Sequence, residues 1–115
     1  MILSLVNGQP SEALACSDRG LAYGDGVFRT LRMQAGAPLW LADHLARLAH
    51  DAQCLGLPAV AGHLWCEDIA RLDAPAGDAV LKLVLTRGEA ARGYRPGPAA
   101  TPTRIVMLSP APMRR

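Results

Sequence analysis

The stretch AVLKLVL, Ala79 to Leu85, sets the tightest limit on what this chain can fold into. A near-continuous apolar run with a single charge cannot lie along a wet edge. It reads as a strand at the centre of a sheet, covered on both faces or nearly so. The remaining residues must supply that cover. With 115 residues, half of them hydrophobic, they make one domain able to bury roughly two-thirds of its unfolded surface.

The cover is legible segment by segment. ILSLV followed by Asn7-Gly8 predicts a strand and a tight turn, with a brief return strand near Glu12 to Ala15. SDRGLAYGDG is polar and glycine-rich and reads as a loop, with two positive-φ glycines about Asp25. VFRTLRMQAG alternates, with Val27, Arg29, Leu31 and Met33 on one face and Phe28, Thr30, Arg32 and Gln34 on the other. QAGAP turns this strand, and LW starts a short partner. From Leu41 the period changes. Leu41, Leu45, Leu48, Ala52 and Leu55 recur at helical spacing, and Gly56 with Pro58 ends the helix. A second helix is expected from about Ala61 to Leu72, with Leu64, Trp65, Ile69 and Leu72 inward. Ala74 to Asp78 turns, and TRIVMLSP is a last strand closed by Pro110 and Pro112. Strands, two helices, then strands predict an α+β two-layer domain, an antiparallel sheet with two helices on one face.

Charge and cysteine content narrow the partners. A net charge of +2 and 4% aromatic residues argue against nucleic acid and against an anionic membrane. Three cysteines without a C-x-x-C spacing argue against a disulfide framework or structural zinc and fit a reducing compartment. The start, MILSLVNGQPSE, has no basic n-region, and no run reaches the roughly 18 apolar residues of a spanning helix. A cytoplasmic protein is expected. Eleven of the twelve basic residues are arginine, which composition bias explains and which also suits carboxylate and phosphate recognition.

Several candidate chemistries fail on spacing. YGDG is not G-x-G-x-x-G and precedes a strand, so no dinucleotide site is expected there. His44, His50 and His63 form no zinc spacing, and no G-x-S-x-G is present. In DHLARL, Arg47 lies four residues past Asp43. It either makes a surface ion pair or sits at the edge of the buried stripe, where it needs an anion. Lys82 is a candidate for Schiff-base chemistry, but its alternation with Val80 and Val84 favours a packed stem with the ammonium reaching water. TRGEAARGYRPG, Thr86 to Gly97, is a loop whose arginines and tyrosine hydroxyl suit a carboxylate or phosphate.

Taken in order, DRGLAYGDGVFRTLR, L-x-x-HLARL with LGLP, and VLKLVLTRGEAARGYRPG resemble the class IV aminotransferase family, the fold-type-IV pyridoxal-phosphate (PLP) enzymes. The resemblance covers nearly the whole chain. The TRG-x-x-x-RGY form is most similar to aminodeoxychorismate lyase, which makes p-aminobenzoate and pyruvate for folate synthesis. A D-amino-acid or branched-chain aminotransferase is the alternative within the family, and a non-catalytic binding domain is the alternative outside it. The resemblance implies that Arg47 binds the cofactor phosphate. It implies that Phe28 and Thr30 line the substrate pocket, and that Arg92 and Tyr94 face an anionic substrate. YGDG would be a structural turn, and Arg29 stands where many members carry glutamate. In the family the lysine that binds the cofactor lies in a second domain, in a segment like KHLNRLEQ. The sequence ends at SPAPMRR. The resemblance therefore implies the N-terminal half of a homodimeric enzyme, with no catalytic residue in these 115 residues.

Overall fold

The apolar run takes the central place that its composition demands. In the computed structural model, which describes residues 1–89 and 101–111, it forms a strand over Ala79–Thr86. Numbered in chain order, the elements are β1 (Ser4–Val6), β2 (Gln9–Pro10), α1 (Arg19–Tyr23), β3 (Gly26–Gln34), β4 (Ala37–Pro38), α2 (Leu41–Cys54), α3 (Gly62–Arg71), β5 (Ala79–Thr86) and β6 (Thr103–Pro110). The strands form one sheet in the order β2-β1-β6-β5-β3-β4, and every pair is antiparallel.

The two faces of the sheet differ. Leu81, Leu83 and Leu85 of β5 share the inner face with Leu31 and Met33 of β3, Val106 and Leu108 of β6, and Leu5 of β1. Helices α2 and α3 close over them with Leu48, Ala52, Trp65 and Ile69, joined by Leu57 and Leu72, in one buried cluster. On the outer face Val80, Lys82 and Val84 are half-buried, while Phe28, Thr30 and Met107 are exposed. Helices α2 and α3 lie on the inner side, and α1 meets the outer face at its Thr86 end, where a Cβ on Gly20 would stand 2.2 Å from Thr86 Cγ2. Lys82, half-buried, reaches the Phe28 ring of the neighbouring strand.

The local differences from expectation have physical causes. The return strand is Gln9–Pro10, not Glu12 to Ala15. Asn7 and Gly8 take φ of 50° and 78° and make the two-residue turn, and Pro10 has no N–H with which to continue a ladder. Leu39 and Trp40 turn toward α2, so the partner strand of β3 is Ala37–Pro38. The expected loop SDRGLAYGDG contains α1. Asp18 caps it by accepting the Gly20 N–H at 2.8 Å, and Gly24 ends it at φ 67°. Gly24 alone of the YGDG pair has positive φ. Gly26 is a strand residue whose place forbids a side chain, since a Cβ would stand 2.7 Å from the Leu85 carbonyl oxygen. Leu55 caps α2 and is 45% exposed, outside the core.

Leu83→Ala is expected to lower unfolding free energy by about 2–5 kcal/mol in urea titrations. Leu55→Ala should change it by less than about 0.5 kcal/mol. Equal losses at the two positions would contradict the assignment of the core.

Candidate functional site

The outer face carries the polar groups that the core leaves free. Register places Thr30 opposite Lys82 and Phe28 opposite Val84. The Lys82 ammonium lies 4.7 Å from the centroid of the Phe28 ring. A cation over an aromatic face keeps an electrostatic partner while losing part of its hydration. Among the described residues Lys82 makes no ion pair. An aromatic ring, a hydroxyl and an ammonium therefore share one surface of the sheet.

Arg47 projects from the other layer. It lies on the exposed side of α2, in a shallow hollow with Asp43, Ala46 and His50. The surface pair with Asp43 is not formed, and Arg47 makes no ion pair among the described residues. Nor does the buried stripe claim it. Phe28 and Thr30 come together with Lys82, whereas Arg47 is absent from that group. The nearest link is a hydrogen bond from Arg29 Nε to His44 Nδ1 at 3.1 Å. Arg29 stands between Phe28 and Thr30 on β3, and His44 lies three residues before Arg47 on α2, so this bond fastens the two layers near both. Arg92 and Tyr94 lie outside the described residues.

The frame around these groups rests on Asp25 of YGDG. Its Oδ2 accepts from Arg87 Nε at 2.7 Å and from Arg19 Nε at 2.9 Å. Arg87 also donates to the carbonyls of Leu55 at 2.7 Å and Gly56 at 3.1 Å. These are carbonyls just past α2, of the kind that a helix end leaves without an intrahelical partner. One arginine thus joins the turn before β3, the end of β5 and the end of α2. Burial alone would raise the Asp25 carboxyl, but hydrogen bonds and charge from Arg87 and Arg19 outweigh it and hold it below its usual 3.8. Two further buried acids escaped the sequence reading. Asp68 pairs with Arg104 at 2.6 Å, and Asp18 accepts from the Thr103 hydroxyl at 2.6 Å. Among the described residues no three metal-ligating side chains cluster, and no helix is long and apolar enough to cross a membrane.

Comparison with known proteins matches residues 26–115 to the family model for amino-transferase class IV. The chain belongs to the amino-transferase class IV family. Among solved structures of similar fold, 4-amino-4-deoxychorismate lyase from Pseudomonas aeruginosa is 44% identical with a TM-score of 0.84, over 96% of this chain and 40% of that one. A hypothetical aminotransferase from Mycobacterium tuberculosis, solved in a PLP-bound form, is 27% identical with a TM-score of 0.76, over 96% and 40%. D-alanine aminotransferase of Bacillus licheniformis is 30% identical over 106 residues, 85% of this chain and 37% of its own length. The class IV chain thus spans well under half the length of these relatives.

PLP fits part of what this class IV chain presents. Arg47 is exposed and makes no ion pair among the described residues, which suits a phosphate dianion. Lys82, the single lysine, does not line the Arg47 hollow.

The Asp25 hub has a pH signature. A carboxyl held below its unfolded value adds stability above that value and loses it as pH falls through the folded one. Wild type should exceed Asp25→Asn in thermal stability at neutral pH, and the gap should close on acidification below 3.8. A gap that is the same at both ends of the titration would contradict the ion-pair origin.

Proposed function

We propose that the chain is the N-terminal domain of a PLP-dependent aminodeoxychorismate lyase, which releases p-aminobenzoate and pyruvate in folate synthesis. The observation that carries this reading is the Lys82 ammonium, set over Phe28 and opposite Thr30, with no ion pair among the described residues. A ring that bears carboxylates matches that surface. Phe28 packs against the ring, while Thr30 and Lys82 hold a carboxylate. Arg92 and Tyr94 hold negative charge from their loop, and Arg47 holds the cofactor phosphate. When bound, PLP supplies an electron sink for the charge left as the amino-bearing carbon loses its proton. The similarity to the Pseudomonas aeruginosa lyase supports this choice of reaction. A cytoplasmic homodimer fits the same reading.

A second reading, a D-amino-acid or branched-chain aminotransferase, is favoured by the similarity to D-alanine aminotransferase. Under either reading Lys82, which does not line the Arg47 hollow, is not taken as the lysine that binds the cofactor.

Assay of the full polypeptide that carries this sequence separates the readings. Formation of p-aminobenzoate from aminodeoxychorismate is expected, with no amination of keto acids. The reverse result would favour the aminotransferase. Arg47→Ala should weaken PLP binding about ten- to hundredfold by spectroscopic titration, the worth of a hydrogen bond to a charged group. Unchanged affinity would remove Arg47 from the cofactor site.

A further inference from the structure

His50 and Cys54 stand four residues apart on α2, so they share one side of the helix. Their side chains meet, with Cys54 Sγ 3.7 Å from His50 Nε2. Both residues are exposed, and neither has another side-chain partner among the described residues. A thiol and an imidazole at this distance form a weak hydrogen bond. The same distance suits a shared metal ion. With Zn–S of about 2.3 Å and Zn–N of about 2.0–2.1 Å, two ligands of a tetrahedral ion stand about 3.5–3.6 Å apart. Little side-chain movement separates the two arrangements.

The end of α2 favours a cation. Cys54 is the last residue of the helix, where carbonyls carry partial negative charge, and no basic side chain lies in the last turn. Asp51, half-buried, follows His50 and adds a full negative charge. Two cations limit the effect. Arg47 lies three residues before His50, and Arg87 takes up the Leu55 and Gly56 carbonyls. The pair stands on the helical layer, away from Phe28, Thr30 and Lys82, although His50 also lines the Arg47 hollow. Helix α3 offers a contrast. There His63 and Cys66 are three residues apart and both exposed, but they make no hydrogen bond to each other.

We propose that His50 Nε2 and Cys54 Sγ form an exchangeable site for a divalent transition-metal ion of the zinc class. Binding replaces the thiol proton. The ion bonds to the thiolate sulfur and to the neutral imidazole nitrogen, and the proton leaves to solvent. No electrons are transferred. Two protein ligands leave two tetrahedral positions to water. This falls short of the four ligands of a structural zinc, so the site needs no C-x-x-C spacing and does not hold the fold together. Sulfur and imidazole ligands select Zn(II) over Mg(II) and Ca(II), which take oxygen. The site rests on these two side chains and not on the reading proposed above.

Calorimetric titration of the reduced full polypeptide with Zn(II) gives the first test. Wild type should bind one more ion per chain than Cys54→Ser. Alkylation by iodoacetamide, followed at each cysteine by mass spectrometry, locates the ion. With Zn(II) at ten times its dissociation constant, mass action at one site lowers the free thiol about tenfold, and Cys54 should react more slowly by the same factor. Cys16 and Cys66 are exposed as well and should keep their rates. Mg(II) at the same concentration should change nothing. His50→Ala should remove the effect at Cys54, while His63→Ala should leave it. All of these substitutions are at exposed positions, where folding is little affected. Equal stoichiometry in wild type and Cys54→Ser overturns the proposal. So does slowing that survives His50→Ala, or equal slowing at all three thiols, which is adventitious zinc only. A Cys54 that fails to react without metal is covered in the full polypeptide, and that result overturns it too.

Discussion

Strand β5 has one apolar composition but two different environments, and the rest of the structure follows from that asymmetry. Its leucines at 81, 83 and 85 meet the helices and form the core. On its other side Val80, Lys82 and Val84 are half-buried, and Thr86 meets α1. Strands β3 and β6 repeat the division in register, so the difference spreads across the sheet. A stable inner face lets the outer face hold groups that do not help folding. Phe28 is 60% exposed, and Lys82 rests over its ring with no ion pair among the described residues.

The arginines divide between two tasks. Arg87 and Arg19 are engaged by Asp25, and Arg104 by Asp68, each in a partly buried pair that fixes where loops and helices meet. Breaking such a pair strands the remaining charge, so these residues hold geometry even where the net worth of the pair is small. Arg47 has no such partner among the described residues. The arginine-rich composition alone does not distinguish the two groups. The distinction comes from which carboxylates the fold brings within reach.

Local periodicity made much of the fold readable. The alternation of Val27 to Gln34 gave the correct faces of β3, and the spacing of Leu41 to Ala52 gave α2 and its buried side. The Asn7-Gly8 turn was equally plain. The misses arise where a contact, not a pattern, decides. Helix α1 has only five residues and exists because Asp18 and Gly24 cap it. Leu55 continues the apolar period but falls where the helix has ended. Arg87 meets Asp25 across 62 residues and Thr103 meets Asp18 across 85, and no spacing rule reaches that far. On the site, alternation placed Phe28 and Thr30 on one face and Lys82 with Val80 and Val84 on another strand's face. The register of β3 on β5, which brings the two together, was not legible. For Arg47 the spacing left open a surface pair with Asp43 or a place at the edge of the buried stripe; the structure shows neither, and its separation from Phe28 and Thr30 was not legible.

A crystal structure of the full polypeptide with PLP and p-aminobenzoate would test the central claim, that the outer face of β3 and β5 is the functional face. The account predicts the cofactor phosphate on the Arg47 guanidinium and the carboxylate of p-aminobenzoate beside Lys82 and Thr30, with its ring against Phe28. A phosphate bound away from Arg47, with Phe28, Thr30 and Lys82 covered by protein and touching no ligand, would contradict it.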